Sequence, residues 1–244
     1  MVNLSFLRHL SFEINDSCIL DSIHNLCPRN SNRWEYSTSF DPITKEDVVN
    51  FATYCTNLGF KGLINFHYYN EPLCTKELML SIVDLLPNNL FSLWTNGILL
   101  KKEDEKWLGK FTDVMITLYD GFYENIDFIY YLLSNFPNVR CQLEDFDDRK
   151  NELITPKYNP QIWHCNRPNW ELVIDYYGNG HICCGDWKGE LKIGNIKTMP
   201  YDEFLNNWIK VKTLTLRPWT EDTFKDIPRI CQICTTRSPK ISQV

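Results

Sequence analysis

The chain's capacity for chemistry lies in its soft-ligand side chains. Cys165, Cys183, Cys184 and the pair Cys231-Gln-Ile-Cys234 fall in its last third, and Cys18, His24 and Cys27 lie near its start. Thiolate sets of this kind hold zinc or iron–sulfur clusters, and either needs four ligands. Cys165, Cys183, Cys231 and Cys234 form the candidate C-terminal set, with Cys184 as the alternative to Cys183. Strand alternation would turn these two neighbours to opposite faces, so one of them is expected to ligate. A zinc ribbon joins two CxxC knuckles, whereas this chain has one. Two soft-ligand sites on one small chain therefore favour iron–sulfur chemistry over a structural zinc ion.

The composition sets the setting for such sites. The 244 residues suit one large domain, or one domain with a smaller appendage, and 43% hydrophobic content is ample for a core. A formal net charge of −6 argues against a nucleic-acid partner, whose footprint is usually basic. The opening residues lack a signal-peptide apolar core, and Glu13 and Asp16 follow at once. No stretch approaches the ~20 apolar residues of a membrane span. The expectation is a cytoplasmic protein without membrane contact. There the ten cysteines would be reduced thiols, so unusual spacings point to metal or catalysis rather than disulfides.

Strands and helices alternate through the first 150 residues and must position the ligands. Strands are predicted at Leu10–Ile14, Gly62–Tyr68, Leu90–Thr95, Asp113–Tyr119 and Val139–Leu143. Helices are predicted at Thr44–Leu58, Thr75–Leu86, Lys101–Gly109 and Tyr123–Phe136. In the first helix Val48, Phe51, Ala52, Cys55 and Leu58 share a face, with Thr44 as N-cap and Gly59 as stop. In the last, Ile126, Ile129, Tyr130 and Leu133 share one. Such alternation implies right-handed βαβ units around a parallel sheet or partial barrel. Ligands then bind at the C-terminal strand ends, where Cys18, Glu71, Asn96 and Asp120 fall. After Lys150 the pattern changes to a polar link, a hairpin (Leu172–Asp175 with His181–Cys184) and a helix at Tyr201–Leu214. The domains expected are 1–150 and 151–244.

These residues resemble the radical SAM superfamily. Cys165-Asn-Arg-Pro, Gly178-Asn-Gly-His-Ile-Cys183-Cys184-Gly-Asp186, Ile193-Gly-Asn-Ile196 and Cys231-Gln-Ile-Cys234 are similar to its twitch or SPASM-like auxiliary-cluster domain. Phe66-His-Tyr-Tyr-Asn-Glu-Pro-Leu73 resembles the family's GGEP-like segment, which contacts the amino group of S-adenosylmethionine. Trp94-Thr-Asn-Gly97 and Thr117-Leu-Tyr-Asp-Gly121 resemble later strand ends. The resemblance covers nearly the whole chain. It implies an α/β fold, a partial (β/α)6 TIM-like barrel with a small C-terminal hairpin and helix domain.

It also implies two [4Fe–4S] clusters and S-adenosylmethionine as cofactors. The first cluster would sit on Cys18, His24 and Cys27, the auxiliary one on the C-terminal set. Tyr69, Asn70, Glu71, Pro72, Asn96, Thr117 and Asp120 would meet the cofactor, and Arg149 is the candidate grip on an anionic or hydroxylated substrate. The implied reaction is reductive cleavage to a 5′-deoxyadenosyl radical, then hydrogen abstraction from a small molecule or peptide. The auxiliary cluster would assist a two-electron oxidation, and a flavodoxin or ferredoxin would donate electrons. The loop departs from the family's CxxxCxxC, since here it reads Cys-x5-His-x2-Cys with His24 in the middle place. Histidine ligation raises a cluster's potential, as in Rieske centres. That departure motivates an alternative, an inactive homologue serving as a metal-stabilised binding or electron-transfer module. Asn70 stands where the family has glycine, asparagine being the residue that best tolerates positive φ after it.

Overall fold

Apolar and polar residues alternate along the strands, and this alternation builds the barrel. The computed structural model describes residues 2–24, 27–30, 41–119, 121, 125–144, 167–215 and 228–232. Its strands are β1 (His9–Phe12), β2 (Leu63–Asn65), β3 (Leu90–Thr95), β4 (Asp113–Tyr119), β5 (Val139–Glu144), β6 (Glu171–Ile174) and β7 (Gly180–His181). Between them lie helices α1 (Lys45–Asn57), α2 (Lys76–Leu85), α3 (Glu105–Leu108), α4 (Ile126–Asn135) and α5 (Arg167–Trp170), and α6 (Tyr201–Thr215) follows β7.

One seven-stranded sheet runs β5-β4-β3-β2-β1-β6-β7. All neighbours from β5 to β6 are parallel, and β6–β7 is the antiparallel pair. This is the expected partial TIM-like barrel. The hairpin grows on the barrel's own sheet, because β6 pairs with the free edge of β1 from His9↔Glu171 to Phe12↔Ile174. The chain on either side of position 150 thus shares one sheet.

Outward strand residues are apolar. Leu10, Phe12, Ile64, Phe91, Leu93, Val114, Ile116, Leu172 and Ile174 join Phe51, Met79, Ile82, Leu108, Ile129 and Phe204 in one buried core. Residues of opposite parity face inward and are largely polar, including Ser11, Asn65, Ser92, Thr117 and Gln142. Interiors of closed barrels are usually filled by branched apolar side chains. Here the helices receive those side chains, and the interior is left for a ligand.

The helix signals act as expected at α1. Thr44 and Asp47 form a reciprocal capping box, and Gly59 takes φ +93° where the helix stops. In α4 the buried side is set by Ile129 and Leu132, while Tyr130 of the predicted face is 63% exposed. α6 sets Phe204, Leu205 and Trp208 against the barrel, with Phe204 edge-on to Phe51 at 5.4 Å. No described helix is long and apolar enough to cross a membrane.

Candidate active site

The C-terminal strand ends surround a cavity of about 620 Å³. Cys18, His24 and Cys27 line it, as do Tyr69, Asn70, Glu71, Asn96 and Thr117. The fold therefore gathers residues from four separate loops and strands. Pro72 stands outside the wall and opens a 3₁₀ turn, Pro72–Thr75. Arg149, Asp120, Cys165 and Cys234 lie outside the described residues.

Backbone hydrogen bonds wind the loop after β1. His24 N–H donates to Leu20 O at 2.9 Å, Cys27 N–H to His24 O at 3.1 Å, and Asn30 N–H to Cys27 O at 2.9 Å. The Asn30 side chain donates to the carbonyls of both Asp21 and His24, and Arg29 pairs with Asp21. These turns absorb the loop's extra length and bring His24 to the cavity beside the Tyr119 ring, 6.2 Å between centroids. Asn15 ties the loop's root to the next strand's loop, donating to Glu71 O at 3.2 Å and Thr75 Oγ1 at 2.9 Å.

Glu71 braces the cavity. Its carboxylate accepts from Leu73 N–H at 3.0 Å, Thr95 Oγ1–H at 2.7 Å and Asn96 N–H at 2.8 Å, joining the ends of β2 and β3. Burial pushes its pKa up, and these three hydrogen bonds pull it back. The carboxylate is thus occupied by protein donors. Asn70 is likewise engaged, accepting from Tyr68 N–H at 3.0 Å and donating to Phe66 O at 3.0 Å. Among the described residues no non-glycine has positive φ. Asn70 replaces glycine through these side-chain bonds and not through a left-handed backbone.

The donor set suits an iron–sulfur cluster. Burial raises the Cys18 thiol to about 12, with Glu71, Asp21 and Cys27 adding to the rise against a backbone hydrogen bond at Leu20. Such a thiol stays protonated until a bound cation ionises it. Among the described residues no three His, Cys, Asp or Glu stand close enough to share a single metal ion. Cys18, His24 and Cys27 all line the cavity.

The hairpin presents the two neighbouring cysteines differently. β7 ends at His181, so Cys183 and Cys184 lie in the turn beyond it. Cys184 lines the cavity against the Arg167 guanidinium, and Tyr69 donates its hydroxyl hydrogen to the Cys184 carbonyl. Cys183 packs against the core. Burial raises its thiol pKa well above the usual range, reinforced by Cys184 and Cys231 nearby. Behind them His181 is buried between the Asp175 carboxylate, 3.0 Å away, and the Asp186 carbonyl, 2.8 Å away. Arg167, Cys184 as a cavity residue, and two braces were not foreseen from the sequence: Asn15, and Glu13, whose carboxylate accepts from Tyr69 N–H at 3.2 Å and Tyr176 N–H at 3.3 Å. A polar pair directly after a strand of buried residues was the available signal for the braces.

Residues 165–235 match the SPASM family, an iron–sulfur cluster-binding domain. The S-adenosyl-L-methionine-dependent 2-deoxy-scyllo-inosamine dehydrogenase of Niallia circulans is 21% identical over 239 residues, 92% of this chain and 91% of that protein. The crystal structure of BtrN in complex with AdoMet and 2-DOIA superposes with a TM-score of 0.71 at 21% identity, covering 96% of this chain and 94% of that one. BtrN in an open conformation gives 0.60 at 19% identity over 94% and 92%. The fold is thus shared over almost the full length.

Proposed function

We propose that the chain is a radical SAM enzyme with a C-terminal SPASM domain and that it oxidises a small molecule by two electrons. The observation that carries this reading is the convergence of Cys18, His24 and Cys27 with Tyr69, Asn70, Asn96 and Thr117 on one cavity. A bound [4Fe–4S] cluster with S-adenosylmethionine supplies one-electron cleavage to methionine and a 5′-deoxyadenosyl radical, which removes hydrogen from a C–H bond.

The chain's own residues hold and shield this chemistry. Cys18, His24 and Cys27 are the first cluster's ligands, and their loop is fixed by the Asn15 and Asn30 amides. Tyr69, Asn70, Asn96 and Thr117 form the cofactor wall, kept in register by the Glu71 carboxylate. Asp120 and Arg149 belong to the same reading as a further cofactor contact and a substrate grip. Leu20, Tyr68 and Trp94 limit water in the cavity. Cys183 and Cys231, with Cys165 and Cys234, would hold an auxiliary [4Fe–4S] cluster, which would supply an electron acceptor for the second half of a two-electron oxidation. Cys184 belongs to the cavity wall. The substrate is an alcohol- or amine-bearing carbon compound, as the inosamine dehydrogenase likeness supports. A flavodoxin or ferredoxin supplies the first electron.

Iron and sulfide counting after anaerobic reconstitution tests the assignment. About eight irons per chain are expected, with an electron paramagnetic resonance spectrum that changes on adding S-adenosylmethionine. His24→Ala lowers the iron content, and His24→Cys restores it with a lower midpoint potential. Unchanged iron content and potential in both variants would remove His24 from the site. The missing middle cysteine favours the second reading, a non-cleaving homologue, for which a single cluster indifferent to S-adenosylmethionine is the expected result.

A further inference from the structure

Two adjacent cysteines leave β7 with different surroundings. Cys183 packs against the core with Cys231 nearby, whereas Cys184 lines the cavity. Strand alternation sets the facing of neighbours only within a strand, and both residues lie beyond the end of β7 at His181. Their facing must be set by what holds the turn.

His181 spans that turn. It is 3% exposed. Its Nε2 lies 3.0 Å from Asp175 Oδ2, just past β6, and its Nδ1 lies 2.8 Å from the Asp186 carbonyl oxygen, just past the two cysteines. Both partners are acceptors, so the ring donates from both nitrogens. Each anchor is held by further bonds. The Asp175 carboxylate also accepts from Tyr177 N–H at 2.9 Å and Asn179 N–H at 2.8 Å. The Asp186 carbonyl also accepts from Gly189 N–H at 3.0 Å, and Asp186 N–H closes the turn on the Cys183 carbonyl at 3.2 Å. The imidazole has little room to shift. The Tyr68 ring centroid is 5.2 Å away, and a Cβ added at Gly189, where φ is +68°, would stand 3.1 Å from His181 Cε1.

We propose that His181 is a positioning residue for the auxiliary cluster: by tying Asp175 to the Asp186 carbonyl, it holds the turn in the register that presents Cys183 to Cys231 and leaves Cys184 in the cavity. This role rests on the auxiliary-cluster reading above. Arg167, donating to Cys184 Sγ, and Tyr69, donating to the Cys184 carbonyl, hold the same register from the cavity side. A slip of one residue would put Cys184 in the ligand position and turn Cys183 to the cavity. Partners of this kind, one step removed from a ligand, orient it and commonly govern how tightly the metal is kept.

Alkylation of the anaerobically reconstituted full-length chain with iodoacetamide, with the modified cysteines located by fragment mass spectrometry, tests the clamp. The wild type is expected to hold about eight irons, to protect Cys183 and to be alkylated at Cys184. His181→Phe keeps a ring in the space and loses both hydrogen bonds. It is expected to release auxiliary iron to a chelator ~10-fold more readily, to be alkylated at Cys183 and Cys184 alike, and to shift the auxiliary cluster's midpoint potential. The first cluster's spectral response to S-adenosylmethionine persists and reports that the barrel is folded. His181→Gln keeps one donor and is expected to fall between His181→Phe and the wild type, which also serves should His181→Phe not fold. Wild-type iron retention, Cys183 protection and potential in His181→Gln and His181→Phe would overturn the clamp, as would protection of Cys184 in place of Cys183 in the wild type. About four irons with Cys183 alkylated in the wild type would instead overturn the auxiliary-cluster reading, and the clamp's role with it.

Discussion

Glu71 shows how a residue placed by the sequence takes a further role from packing. Its position before Pro72 at a strand end marks it as a cofactor contact, yet its oxygens receive Leu73, Thr95 and Asn96 donors. Glu71→Gln places an amide NH₂ against donors on one side. The variant is expected to lose about 1–3 kcal/mol of stability, read from urea unfolding. A loss below about 0.5 kcal/mol would mean the carboxylate does not brace the strand ends. The sequence made Cys18, His24 and Cys27 legible because soft ligands at short spacing in one loop are rare by chance. The Asn15 brace was not legible. It joins the root of the first loop to Glu71 and Thr75, residues from a distant segment that only packing brings beside it.

At the scale of elements, capping and periodicity were readable where one residue decides the outcome. Thr44, Gly59 and the β3 and β4 strand bounds follow from local rules. The burial of α4 did not, because two apolar faces compete and the barrel selects the one carrying Leu132. The hairpin depends on Gly180, where an added Cβ would stand 2.5 Å from the Phe204 ring. Phe204 is fully buried and has no room to retreat. Gly180→Ala is expected to cost about 1–3 kcal/mol by overpacking, and to loosen the turn that carries Cys183 and Cys184. Denaturant titration with iron counting checks both; wild-type stability together with full iron content would contradict this role for Gly180.

At the scale of the molecule, one sheet carries both candidate cluster sites. β1 sends the Cys18 loop from its end and pairs with β6, which leads into the Cys183–Cys184 turn. The Tyr69–Cys184 hydrogen bond then joins the two regions across the cavity. The strand–helix alternation made the barrel legible, but not β6 joining its edge, since hairpin patterns carry no information about which distant strand they extend. The most direct test of the account is to reduce the reconstituted protein with dithionite in the presence of S-adenosylmethionine and assay 5′-deoxyadenosine. The account predicts its formation with an equal amount of methionine, and its loss in Cys18→Ala. Cluster-loaded protein that forms none with any reductant would contradict it.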